Sequence, residues 1–280
     1  MNLPLLIQLP LGIILAAIIA AAAYIAKSLS RSGAFAAFIL GSIIFGIGGL
    51  SWSILLLVFF LSSSTLSRLF KKQKLAAEEK FSKGSRRDAG QVAANGAVAG
   101  ILTLLFPFLG GATWIWAAYA GALAAVNADT WATELGILGK VFPRLITTGK
   151  LVEPGTSGGI SITGTLAALS GAIIIAIPAV IFKPSTFFYG LEPNLLLFLI
   201  VTVSGLAGSF VDSLIGATLQ SIYFCPICQK QTEKFPLHSC GNPTEIIRGM
   251  SWLNNDWVNT FCGFAGAVLA GFLALVMLYK

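Results

Sequence analysis

Acidic residues are scarce in this chain. Asp and Glu together number eleven among 280 residues, and charged residues of both signs make up only 10%. A soluble globular chain carries about 25% charged residues, so that class is excluded. Histidine occurs once, at His238, which leaves a single candidate for any His-based catalysis. The four cysteines are too few for a disulfide scaffold. Neither GxxxxGK[ST] nor GxGxxG occurs, so a Walker A loop and a dinucleotide fingerprint are both absent. No basic patch interleaved with aromatics points to RNA. No convincing internal repeat of the secondary-transporter kind is present.

What is abundant is hydrocarbon. The chain is 56% hydrophobic, with a mean hydropathy of +0.86. Several apolar runs reach the roughly 17–25 residues needed to cross a bilayer as a helix, whereas a β-barrel would show short alternating segments. The first run, "LPLLIQLPLGIILAAIIAAAAYIA", lacks a basic leader and is too long for the core of a signal peptide, so it reads as a retained span. The expected fold is an all-α polytopic membrane bundle, one domain over residues 1–280. Eight spans are expected, at roughly 4–26, 33–49, 52–67, 92–109, 112–128, 163–182, 194–217 and 258–279. The second and third, parted only by "GGLSW", should form a helical hairpin.

Lys and Arg fix the orientation. With both termini outside, sixteen of the eighteen basic residues fall in inward loops, and only Lys183 and Lys280 fall outside. Cytoplasmic enrichment of Lys and Arg is the expected bias, so the net charge of +7 reports topology and calls for no nucleic-acid partner. The basic loop 68–87 reads either as a segment facing lipid headgroups or as part of a substrate site. In this orientation every unusual polar stretch lies on the inner side: "GSRRDAGQVAANG", "NADTWATELG", "EPGTSGGISITGT", "GSFVDSLIGATLQ" and "WLNNDWVN". A site at the cytoplasmic membrane surface is the consequence.

Ionisable residues in or against a span are costly and point to function. Asp212 shares one helix face with Ser204, Gly208, Gly216 and Gln220, each four residues apart. Asp88, Gln91 and Asn95 share another face, as do Asp256 and Asn259, and Asn255 and Asn259. Asp129 and Glu134 are five apart, about 140° around a straight helix. They face one site only if the helix bends or ends; otherwise Thr130 and Glu134 share a face and Asp129 points elsewhere. Carboxylates with Asn and Gln suit Mg²⁺ together with substrate phosphates, and Arg86 and Arg87 suit the phosphates themselves. Thr156, Ser157, Gly158 and Gly159 precede the inward end of the sixth span, where backbone N–H groups receive anions. Together these groups describe a metal-assisted phosphate-transfer site.

A cytoplasmic loop at 220–255 contains Cys225-x2-Cys228 followed by His238 and Cys240. The spacing fits a tetrahedral structural zinc site; a reversible Cys225–Cys228 disulfide is the alternative. Cys262 lies in the eighth span as a packing residue.

The ordered motif set, covering nearly the whole chain, resembles an integral membrane family long described as a domain of unknown function. That family includes human transmembrane protein nineteen and the phytyl-phosphate kinases of plants and cyanobacteria. The resemblance implies an isoprenyl-phosphate kinase that uses a nucleoside triphosphate, CTP or ATP, to make a prenyl diphosphate for tocopherol and phylloquinone synthesis. It assigns no catalytic residue. The chemistry assigns Asp129, Asp212 and Asp88 to Mg²⁺, Arg86 and Arg87 to phosphate oxygens, and Glu134, Asn95, Asn255 and Asp256 to orienting ligands. The lipid chain is expected among the fourth to eighth spans. Three rival readings remain: a CTP-dependent cytidylyltransferase acting on a lipid phosphate, an anion or lipid-phosphate transporter, and a non-enzymatic membrane scaffold held by the zinc loop. The expected location is a prokaryotic plasma or inner membrane, or a thylakoid or plastid envelope.

Overall fold

The computed structural model describes residues 4–70, 86–184 and 190–278. Most of the basic loop, residues 71–85, lies outside them. Eight α-helices account for most of the described chain: α1 (Leu5–Ile25), α2 (Arg31–Ile43), α3 (Gly49–Leu69), α4 (Ala89–Phe108), α5 (Thr113–Gly136), α6 (Ile162–Ile181), α7 (Leu191–Thr218) and α8 (Asn255–Leu278). Two short sheets complete it. In one, β1 (Arg144–Leu145) pairs antiparallel with β2 (Gly159–Ile160). In the other, β3 (Ile222–Cys225) lies between β4 (Lys230–Thr232) and β5 (Glu245–Arg248), antiparallel to both. Six helical segments among the described residues are long and apolar enough to cross a membrane, with Arg31–Leu69 counted as one.

That segment is not straight. As a continuous rod it would separate Arg31 from Arg68 by roughly 55 Å. Instead Arg68 Nη2 donates to Ala26 O at 2.7 Å, beside the start of α2. After α2 the helix widens into a π-helical turn over Ile44–Gly48, and Gly49 enters α3 with φ +73°. A positive φ is cheap only for glycine, so "GIGGL" is where the chain reverses, as expected of a hairpin. Gln8 of α1 braces the reversal, donating through Nε2 to Gly46 O and Ile47 O.

The helix missing from the six candidates is α5. Its residues Ile115–Ala128 are buried without a break. A helix wrapped by other helices needs small surfaces rather than greasy ones, because close backbone approach drives packing in lipid. Hence "AAYAGALAA". A Cβ on Gly121 would sit 2.5 Å from Gly266 O of α8, and one on Gly205 of α7 would sit 2.8 Å from Ala124 Cβ. Polar ties hold the centre: Asn127 donates to Gly171 O of α6 at 2.7 Å and accepts from Ser62 Oγ of α3 at 3.0 Å. At the other end Tyr119 OH donates to Trp52 O at 2.6 Å within a Trp52–Trp116–Tyr119 cluster.

Candidate active site

Register between α5 and α7 creates the centre of the site. The two helices run parallel, and Gly208 meets Ala125 so closely that a Cβ there would lie 2.4 Å from Ala125 Cβ. One turn further along each helix come Asp212 and Asp129. Their carboxyl groups are close enough to share a hydrogen bond. Asp212 Oδ2 is buried without a hydrogen-bond partner. Two carboxyl groups this near one another in a desolvated place need a proton or a cation between them. The stripe that the sequence placed on one face of α7 therefore works as spacing: glycine brings the helices together, and aspartate follows at the mouth.

A cavity of about 260 Å³ opens beside this pair. Its walls include Gln91 and Asn95 of α4, Thr130 and Thr133 of α5, Ser209 and Ser213 of α7, and Asn255 and Asn259 of α8. The loop Thr156–Gly159 forms its floor. That loop is pinned tightly. Gly158 has φ +81°, and a Cβ on it would fall 2.4 Å from Ala217 Cβ. Ile146 N donates to Gly158 O at 3.0 Å, and Ser157 Oγ bonds Gln220 Oε1. Ser161 then caps α6, its Oγ accepting from Gly164 N at 3.1 Å, so the positive helix end faces the cavity.

Arg87 is the cationic member. Its backbone is clamped between Ser28 O and Ser30 N, a contact that Gly33 permits because a Cβ there would run into Arg87 O. Its guanidinium lies 5.7 Å from the Phe59 ring centre and 5.9 Å from that of Phe60. Burial pulls it down to about 10, opposed by the nearby Glu134 charge, which still leaves it cationic at neutral pH.

Four of the residues that the sequence singled out stand apart from the cavity. The α5 helix continues unbroken through Gly136, so Asp129 and Glu134 face different ways. Glu134 is buried, does not line the cavity, and accepts from Ser67 Oγ of α3 at 2.7 Å. Asp88 is the N-cap of α4: it accepts from Gln91 N at 2.9 Å while Gln91 Oε1 accepts from Asp88 N, a reciprocal capping box. Arg86 is exposed and donates to Leu29 O at 3.3 Å. Asp256 lies in the first turn of α8, where Asn254 Oδ1 accepts from its N–H at 3.1 Å. It stays outside the cavity, although its neighbour Asn255 lines it.

One carboxylate on the cavity was not anticipated. Glu233 follows β4 in the Cys loop, accepts from Gln220 Nε2 at 2.9 Å and lines the cavity. No period marks it, because the loop folds back over the helices. The loop also brings Cys225, Cys228, His238 and Cys240 together, with one ligand atom of each within 4.8 Å of the others. The cysteines are unoxidised, with Cys225 Sγ and Cys240 Sγ 3.6 Å apart. Hydrogen bonds from Asn242, then from His238, pull the Cys240 thiol down to about 5. The Cys240 contact pushes the Cys228 thiol up to about 11. Against this loop lies a second cavity of about 680 Å³, which shares Gly155, Thr156, Ser157 and Glu233 with the first.

Comparison with known proteins gives this arrangement a family. The chain is 33% identical to Protein PGR of Arabidopsis thaliana over 96% of both chains. It is 34% identical to an uncharacterized membrane protein of Methanocaldococcus jannaschii over 77% of this chain and 84% of that one. It is 25% identical to the chloroplastic Protein VTE6 of Arabidopsis thaliana over 86% of this chain and 64% of that one. No solved structure matches it significantly. The family described as integral membrane protein DUF92 matches residues 14–267, and this chain, an integral membrane protein, belongs to it.

Proposed function

We propose that the protein is a membrane-embedded kinase of isoprenyl monophosphates, transferring the terminal phosphoryl group of a nucleoside triphosphate, CTP or ATP, to give a prenyl diphosphate. One observation carries the reading: two facing carboxylates, a half-buried arginine and a glycine-hydroxyl loop surround one polar cavity at the ends of membrane helices. The family resemblance supports it, since phytyl-phosphate kinases belong to the same family. A greasy phosphate also explains why a hydrophilic site is built into a helix bundle.

An acceptor oxygen of the monophosphate attacks the terminal phosphorus of the nucleotide. The bond from that phosphorus to the bridging oxygen breaks, and the nucleoside diphosphate leaves with its electron pair. The acceptor is already an anion, so positioning and charge neutralisation do most of the work and no strong base is needed. Arg87 holds phosphate oxygens, and the Thr156–Gly159 backbone donates to them. The orphaned Asp212 Oδ2 beside Asp129 fits a hard cation. Mg²⁺ held by this pair would neutralise charge on the nucleotide phosphates. Asn255 and Asn259 orient ligands. The larger cavity against the Cys loop receives the rest of the nucleotide from the aqueous side.

Cys225, Cys228, His238 and Cys240 form a structural zinc site in this proposal. Three thiol groups and one imidazole in mutual reach match the closed tetrahedral donor set. His238 Nδ1 lies 3.2 Å from Cys240 Sγ, so that ring nitrogen faces the thiols. The metal would give a core to a loop that has little of its own, and so hold Glu233 at the cavity.

The deciding experiment supplies purified protein with phytyl, farnesyl and geranylgeranyl monophosphates, each with CTP and with ATP. Prenyl diphosphate and nucleoside diphosphate are the expected products. Release of pyrophosphate would instead identify a cytidylyltransferase, and nucleotide-independent flux in proteoliposomes a transporter.

A further inference from the structure

A third cavity is almost wholly apolar. It runs between α1, α2, α3 and α4, walled by Ala20, Ala37, Gly41, Leu56, Phe60 and Gly96. Its polar lining is confined to one end, where Arg87, Gln91 and Asn95 stand, and the same three residues line the polar cavity. The two spaces therefore meet at the guanidinium of Arg87, which has aromatic rings on one side and the phosphate-binding groups on the other. From Ala37 to Phe45, the lining residue furthest along α2 from Arg87, the groove follows eight residues, about 12 Å of helix.

Small side chains open this space. Ala16, Ala20 and Ala23 are the buried alanines of α1, while Leu6, Ile14, Ile18 and Ile25 point outward. Larger residues on the inner face of α1 would fill the space between it and α3 and α4. In lipid no hydrophobic force selects an apolar groove, so the groove alone names no occupant. Its junction with a phosphate site does. A molecule that fills both spaces has an anionic head and a flexible hydrocarbon tail joined at the position of Arg87.

We infer that the isoprenoid chain of the phosphate acceptor lies in the groove between α1 and α4, and that Phe45 at its far end limits how much chain it accepts. This rests on the kinase reading of the polar cavity. Of the fourth to eighth spans, where the sequence had put the tail, only α4 lines this groove: around α5 the later helices are closed by buried alanine and glycine.

The test uses the full chain in nanodiscs and geranylgeranyl monophosphate carrying a diazirine at the far end of the chain. After irradiation, label is mapped by peptide mass spectrometry. Label on groove residues of α1–α4, competed away by phytyl monophosphate, is the expected result. Label on α5–α8, no competable label, or equal competition by phosphatidic acid would overturn the assignment. Phe45→Trp should shorten the far end of the groove and lower kcat/KM for geranylgeranyl monophosphate at least 10-fold more than for geranyl monophosphate. Equal loss on both chain lengths, in a variant that keeps the wild-type melting temperature, would also overturn it. The two readings fail separately. Groove labelling without phosphoryl transfer removes the kinase and leaves the lipid site; transfer with label on α5–α8 does the reverse.

Discussion

Asp129 and Asp212 matter because neither has another task. Both lie at the cavity, and one Asp212 oxygen is buried without a partner. Changing either to Asn keeps the shape and removes a charge from the proposed Mg²⁺ site. Prenyl diphosphate formation should fall about 100-fold or more in each variant, with melting temperature nearly unchanged. Activity within a few-fold of wild type in folded Asp129→Asn and Asp212→Asn proteins would refute the assignment. Asp88 should behave oppositely. As the cap of α4 it is worth about 1 kcal/mol, so Asp88→Ala should lower the melting temperature while leaving kcat within a few-fold of wild type. The contrast shows what was legible at this scale. Rarity pointed to the acids in or against the spans but not to Glu233, and the i+4 stripe grouped Asp212 with Gly208 and Gly216 on one face of α7. Whether Asp129 or Glu134 faced the cavity depended on whether α5 stayed straight to Gly136, which spacing does not decide. The Asp88-x-x-Gln91 pattern was read as a shared face, though it is equally the signature of a capping box.

Two elements hold those residues in place, the Thr156–Gly159 loop and the Cys loop. The first depends on Gly158, whose φ of +81° and contact with Ala217 both exclude a side chain. Gly158→Ala should cost about 1–3 kcal/mol from strain and displace the Ser157–Gln220 contact. Because Gln220 also donates to Glu233, the rate should fall at least 10-fold, read in the same product assay. The second element predicts one zinc per chain by elemental analysis. Cys228→Ser and Cys240→Ser should lose the metal and most of the activity. Asp129→Asn should keep the metal while losing activity, which separates the two sites. The Cys spacing announced this subdomain in the sequence, but its consequence for the cavity was hidden. Glu233 reaches the cavity only because β3 and β4 turn the chain back toward α7, and a pairing between short strands of a loop leaves little trace in hydropathy. The central helix α5 was legible as a helix from its alanine-rich middle, although it is not among the six helical segments apolar enough to cross a membrane. Its lack of lipid exposure is written in composition, in alanine and glycine where α1 has leucine and isoleucine.

Across the whole molecule, the three cavities form one path: apolar groove, polar chamber, and a hydrophilic space under the Cys loop. A lipid phosphate and a nucleotide entering from opposite ends would meet at Asp129 and Asp212. This path requires every polar helix end to lie on one side of the membrane. Within the bundle the condition holds, since α4, α6 and α8 line the chamber from their N-terminal ends and α5 and α7 from their C-terminal halves. Eleven basic residues among those described accompany these ends, against Lys183 alone at the other. That asymmetry was legible from the start, because the bias acts on loops and does not depend on how helices pack. The groove was not legible, because Ala16, Ala20 and Ala23 look like any alanine-rich span until α3 and α4 are set beside them. Which face of the bilayer receives the chamber follows from the insertion bias of Lys and Arg. Leu109, between α4 and α5, and Lys150, between α5 and α6, sit at opposite ends of the bundle, and both are exposed. In right-side-out vesicles a membrane-impermeant maleimide should label Leu109→Cys and spare Lys150→Cys until the vesicles are opened. The reverse pattern would put the chamber outside, where no pool of nucleoside triphosphate exists to serve it. A lipid-phosphate kinase would then be untenable, however well its carboxylates are arranged.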